Sequence, residues 1–129
     1  MIKLLLDTHI FLWLLDGNPN LSKTAKQAIE DESNALHLSI VSLWEITIKN
    51  SLGKLELAIP LEQIVINFIL PSGIEILPIH LPHLLILQTL PFHHRDPFDR
   101  LLISQAKSET LTLVSEDRMF EQYEVQILS

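Results

Sequence analysis

The chain contains no cysteine. That absence excludes disulfide staples, thiolate nucleophiles and Cys-ligated zinc or iron–sulfur sites. Any metal ligands must come from carboxylates and the six histidines. Glycine is nearly as scarce, with three residues. A Gly-rich loop that cradles phosphates is therefore ruled out, and nucleotide triphosphatase chemistry with it. Positive charge is thin, with nine Lys and Arg against 16 Asp and Glu, a net charge of −7. Nucleic-acid binders are usually basic, so this counts against that class. It counts less if several carboxylates surround cations that cancel part of the charge. Long hydrophobic runs are missing too. The richest stretch, residues 59–92, is broken by Pro60, Pro71, Pro78, Pro82 and Pro91. No window of about 20 residues is free of charge and proline, so no membrane span is predicted. The first residues, MIKLLLDTHIFLWLLDG, have only the outline of a signal peptide. Asp7 and His9 interrupt the apolar run, and no small-residue cleavage site follows Asp16. A cytoplasmic protein is expected.

What is present suits a packed core. The 129 residues are 47% hydrophobic, which argues against disorder and for a single domain over residues 1–129. IKLLL (2–6) reads as a strand buried on both faces. Residues 8–15 read as a helix ending near Gly17, and Ser22 caps a second helix to about Asp31. ALHLS (35–39) reads as a short strand, followed by a helix from about Ser42 to Leu52 with Gly53 as its stop. Residues 61–70 read as a helix, 74–79 as a strand, and 80–90 as containing a short helix. Asp96 or Pro97 opens a helix to about Ser108, LTLVS (111–115) is a strand, 116–120 a helical turn, and 125–128 an edge strand. Strands separated by helices imply βαβ units and a mostly parallel sheet of four to five strands. Ligands of such sheets bind outside the carboxyl ends of the strands.

The acids follow that geometry. Asp7 ends the first strand, Asp117 comes just past LTLVS, and Asp96 and Asp99 open a helix. Strand ends and helix starts share one rim of a parallel sheet, so these four should meet there. Each also has a plain reading as a helix cap. On residues 93–107 alone, capping is the favoured reading of the Asp96/Asp99 pair. Glu45 lies inside a helix, roughly 55° from the centre of a stripe made by Val41, Trp44, Ile48 and Leu52. It could reach the rim of the core or simply pair with Lys49 one turn on. Four carboxylates within several ångströms repel by kilocalories even at a dielectric of about 20. A divalent cation relieves that repulsion, and all-oxygen ligands favour Mg²⁺ or Mn²⁺.

Asp7-Thr8 after the first strand, Glu45 in SLWEITIK, the segment DPFDRLLISQA and Asp117 in VSEDRMF occur in that order. This pattern resembles the PIN-domain ribonucleases, in particular VapC-like toxins of type II toxin–antitoxin systems, over nearly the whole chain. The resemblance implies a three-layer α/β/α sandwich and a Mg²⁺- or Mn²⁺-dependent endoribonuclease that leaves a 5′-phosphate and a 3′-hydroxyl. It also implies a homodimer, an RNA substrate and a small antitoxin that places a segment in the active-site groove. By position, Asp7, Glu45, Asp99 and Asp117 match the family's acidic quartet. Asp96 is an extra acid of the RDPFDR type, expected as a cap with a secondary part at the metal. Glu116 beside Asp117 is an alternative ligand. Thr8 and Ser115 are expected to orient acids or touch phosphate. Arg95, Arg100, Arg118 and Lys49 are candidates for RNA contacts, each with the plain alternative of surface pairing. The adjacent His93 and His94 lack the HExxH spacing, so no zinc site is read there. His9, Trp13 and Trp44 are read as core or interface residues, and the apolar helices suggest a surface covered by a second copy or an antitoxin.

Other classes fit less well. Aspartate-nucleophile phosphatases need an acid two residues after the first, where this chain has His9. Receiver domains need a phospho-acceptor aspartate after a middle strand, and IEILPI (74–79) ends without one. The alternative kept open is a PIN-like module that binds RNA or protein with its metal site idle.

Overall fold

A computed structural model describes residues 1–129. Its strands are β1 (Lys3–Leu6), β2 (Ala35–Ser39), β3 (Glu75–Leu77), β4 (Thr112–Val114) and β5 (Ile127–Leu128). They form one sheet in the order β3-β2-β1-β4-β5, and every pairing is parallel. The helices are α1 (Thr8–Asp16), α2 (Lys23–Glu30), α3 (Ile40–Ser51), α4 (Leu61–Ile64), α5 (Leu81–Thr89) and α6 (Pro97–Glu109). A wide π-helical turn, Val65–Ile69, extends α4, and a 3₁₀ turn, Arg118–Gln122, follows β4.

Alternation along β1 explains the layering. Leu4 and Leu6 face a core with Ile10 and Phe11 of α1, Ala25 and Ile29 of α2, and Ile46 of α3. Leu5 faces the opposite way, onto Ile103 and Ala106 of α6 with Leu90 and Phe120. All three leucines are fully buried, as expected of a central parallel strand. The result is the expected three-layer α/β/α sandwich with a five-stranded sheet.

Strand order places the site. From β1 the chain winds outward through β2 to β3, then returns to add β4 and β5 on the other side of β1. The winding reverses between β1 and β4, and loops at such a reversal diverge to opposite faces and leave a crevice. The Asp7 N–H donates to the Val114 carbonyl at 3.1 Å, tying the two strand ends together beneath that crevice.

Helix α3 departs from the sequence reading in two ways. It starts at Ile40 rather than Ser42, because the Ser39 hydroxyl accepts from the Val41 N–H and acts as the N-cap. Its inner face is also not the Val41-Trp44-Ile48-Leu52 stripe, since Trp44 is 53% and Leu52 63% exposed. The buried residues are Val41, Ser42, Leu43, Glu45 and Ile46. Glu45 therefore sits on the inward face, where Thr8 of α1 and the small Ser42 make room for a carboxylate.

Candidate active site

Four segments converge at the carboxyl ends of β1 and β4. Their side chains line an open cleft of about 490 Å³ that includes Asp7, Thr8, Glu45, Lys49, Asp96, Asp99, Glu116 and Asp117, with His9 and Trp13 on one wall. Six of the lining residues are carboxylates and Lys49 is the one lysine among them.

Each acid is positioned by local backbone chemistry. Asp7 caps α1, its Oδ1 accepting from the Ile10 N–H at 2.7 Å, and is only 6% exposed. Asp96 caps α6, its Oδ1 accepting from the N–H groups of Phe98 (2.8 Å) and Asp99 (3.2 Å). Asp99 stands in the first turn of that helix. Asp117 caps the 3₁₀ turn by accepting from the Met119 N–H at 2.9 Å. Capping and convergence are thus compatible, because each cap uses one carboxylate oxygen, Oδ1, and leaves Oδ2 for further contacts. Glu45, 5% exposed, accepts from the Thr8 hydroxyl at 2.8 Å on Oε1 and from Lys49 Nζ at 2.6 Å on Oε2. Thr8 Oγ1 also lies 2.9 Å from Ser42 Oγ.

The cluster's electrostatics favour a bound positive charge. Burial, then the charge of Asp96, pushes the Asp99 carboxyl up to about 7; Glu45 and Asp7 add to this, while His94 opposes it. Burial also raises Asp7, opposed by the Ser115 hydroxyl and the Ile10 N–H. Its hydrogen bond to Glu45 holds the Lys49 ammonium above the usual lysine value. Without a cation, Asp99 retains toward neutrality a proton that an isolated aspartate would lose. Its donors facing the cleft are hard oxygens, the chemistry that suits a divalent cation of the Mg²⁺ class.

The remaining sequence candidates separate clearly. Thr8 and Lys49 line the cleft. Ser115 does not line it: fully buried, it accepts the Asp117 N–H at 3.1 Å, and its hydroxyl favours the charged form of Asp7, so it supports two acids from beneath the cleft. Arg100 is a correction to the RNA-contact expectation. It is 6% exposed, and its guanidinium donates to the carbonyls of Leu90 (3.1 Å), Pro91 (2.8 Å) and His94 (3.3 Å). Its donors are committed to the loop before α6. Arg95 and Arg118 lie outside the cleft lining. His9 and Trp44 are exposed rather than core residues, Trp44 packing edge-on to Phe98 at 5.0 Å.

One residue was not picked out from the sequence as part of this site. His94 Nε2 lies 3.1 Å from Asp99 Oδ2 and 3.0 Å from Asp117 Oδ2. The signal was its place two residues before the capping Asp96, which lets its ring reach back over the helix start.

A parallel sandwich with an acid-lined crevice at its winding reversal defines a class of α/β domain whose chemistry sits at the strand ends. The profile of the PIN domain family matches residues 4–126, and this chain belongs to that family. PIN domains are in general nuclease domains. Among solved structures, the fold is similar to a chain of VapBC2 from Rickettsia felis bound to a promoter DNA fragment, with a TM-score of 0.71 at 18% identity, covering 98% of each chain. It is similar to a chain of FitAcB from Neisseria gonorrhoeae, with a TM-score of 0.70 at 21% identity, covering 98% of this chain and 96% of that one. DNA-bound VapBC from Salmonella typhimurium gives a TM-score of 0.71 at 15% identity, covering 99% and 98%. No curated protein matches the sequence significantly. No helix is long and apolar enough to cross a membrane.

Proposed function

We propose that this protein is a Mg²⁺- or Mn²⁺-dependent endoribonuclease and the toxin of a toxin–antitoxin pair. The observation that carries the reading is the meeting of Asp7, Glu45, Asp99 and Asp117, from four separate segments, in one cleft of a PIN fold. Those four would hold the cation, with Asp96 in a secondary place. When bound, the cation supplies a water of lowered pKa and a positive field for charge on the phosphate oxygens.

The chain's own residues do the rest. Thr8 and Lys49 fix the rotamer of Glu45 from both of its oxygens. The start of α1 fixes Asp7 through the Ile10 N–H. A free carboxylate oxygen of the cluster takes the proton of the attacking water. The ammonium of Lys49, 45% exposed at the cleft, faces an incoming phosphodiester. In-line attack leaves a 5′-phosphate and a 3′-hydroxyl. The cleft's negative field repels the RNA backbone until the cation is in place, after which the open cleft admits a single strand.

The partner reading rests on apolar surface. Beside the acid cleft, a groove of about 350 Å³ is lined mainly by apolar side chains, including Leu12, Trp13, Leu57 and Ile59. An antitoxin segment laid there would continue into the cleft through the shared residues His9 and Trp13. Exposed Trp44 and Leu52 on and beside α3, and Leu81 and Leu85 on α5, give a second copy a surface to cover. Light scattering at micromolar concentration is expected to give a dimer, and a lone monomer would remove that part of the proposal.

The decisive test is cleavage of defined tRNA, rRNA and mRNA fragments with Mg²⁺ or Mn²⁺, run beside Asp7→Asn and an EDTA control. Loss of cleavage in both controls is expected. Equal cleavage by wild type and Asp7→Asn would trace the activity to a contaminant and leave a binding module as the better reading.

A further inference from the structure

The loop that carries His94 is held along its backbone, and the ring is packed on one face. Its backbone N–H donates to the Tyr123 hydroxyl at 2.8 Å, and that hydroxyl donates to the Pro91 carbonyl at 2.7 Å. Arg100 grips the carbonyls of Leu90, Pro91 and His94, with its guanidinium carbon 3.9 Å from the Phe92 ring centre. The His94 ring packs on Phe120 at 5.5 Å between centroids. Two buried polar side chains, one from α6 and one just past the 3₁₀ turn, thus immobilise one loop, and the loop delivers one ring to the acids.

Which nitrogen carries the proton follows from its neighbours. The Asp96 N–H donates to His94 Nδ1 at 3.2 Å, so Nδ1 is an acceptor and bears no hydrogen. The hydrogen is on Nε2, where it is donated to Asp117 Oδ2 at 3.0 Å, with Asp99 Oδ2 beside it at 3.1 Å. Three ligand-type atoms from His94, Asp99 and Asp117 lie within 4.8 Å of one another, a spacing that by itself suggests a mixed nitrogen–oxygen metal site. The tautomer argues against it. To ligate through Nε2 the ring must move its hydrogen to Nδ1, which would then oppose the Asp96 N–H, leaving two donors face to face.

We propose that His94 is a positioning residue that donates through Nε2–H to Asp117 Oδ2 and sets its ring edge against Asp99, aligning this pair for a cation while keeping imidazole nitrogen off the metal. The site then stays all-oxygen and selects hard cations, where a free imidazole between two carboxylates would invite zinc or ferrous iron. Outer hydrogen-bond donors of this kind set the orientation of metal ligands, and their removal weakens metal binding by about 10-fold or more. The inference rests on the proposed metal site and names the residue that tunes it.

The test is Mn²⁺ binding to the full chain, followed by calorimetry and by pulsed electron paramagnetic resonance. Wild type is expected to bind Mn²⁺ with no directly coordinated ¹⁴N coupling. His94→Ala is expected to bind about 10-fold more weakly, and His94→Gln, whose amide restores a donor at similar reach, to recover most of the loss. A directly coordinated nitrogen in wild type, or Mn²⁺ affinity in His94→Ala equal to or above wild type, overturns the inference even if RNA is cleaved. The wild-type spectrum needs no variant, so misfolding of His94→Ala leaves the question decidable. Wild type that binds no Mn²⁺ would defeat the metal-site reading itself, and this inference with it.

Discussion

Replacing Asp99 with asparagine removes one charge that burial and the neighbouring acids make costly. Burial and the neighbouring Asp96 lift the Asp99 carboxyl from 3.8 to about 7. The native state therefore holds a proton that the unfolded chain releases between about pH 4 and pH 7. Stability of the metal-free protein falls as pH rises through that window and levels off above it. A displacement of roughly three units, at about 1.4 kcal/mol each, sets a ceiling near 4 kcal/mol. An asparagine side chain at this position carries no charge to desolvate. Metal-free Asp99→Asn should thus be more stable than wild type by about 1–3 kcal/mol at about pH 8, and nearly equal to it at about pH 4. Saturating Mg²⁺ should reverse the order, stabilising wild type and leaving the variant almost unchanged. Urea denaturation at both pH values, with EDTA or Mg²⁺, reads all four cases. If metal-free Asp99→Asn were no more stable than wild type at the higher pH, the claim that burial and the neighbouring acids make a charged Asp99 costly would be refuted.

Arg100→Ala should destabilise the fold by about 3 kcal/mol, since three loop carbonyls lose a charged donor; a denaturation midpoint equal to wild type would contradict the clamp. Arg100→Lys should rescue little, because an ammonium cannot span the same carbonyls. Tyr123→Phe removes one donor and one acceptor from the same loop and should cost about 1–2 kcal/mol, read from the same titrations. Hydrogen exchange at the amide of His94 should quicken in that variant, and unchanged protection would count against the role given to Tyr123.

The layering and the acidic rim are legible in the amino-acid sequence alone. Three consecutive leucines ending in Asp7 read as a strand buried on both faces, and Ser22, Gly17 and Pro97 mark helix ends through local backbone chemistry. Alternation of strands and helices then implies a parallel sheet, and a parallel sheet brings strand ends and helix starts to one edge. Those signals are short-range, so they survive in a one-dimensional string. Three outcomes had to wait for the folded molecule. Glu45 faces inward because Thr8 and Ser42 leave a polar niche for it, although the apolar residues of α3 suggested a stripe through Trp44. Arg100 turns from the cleft because the loop before α6 offers its guanidinium three carbonyls in one place. His94 joins the acids because Arg100 and Tyr123 fold that loop back over the helix start. Each outcome depends on partners distant in sequence or on the path of a loop, and a side chain's own type and spacing carry no record of either.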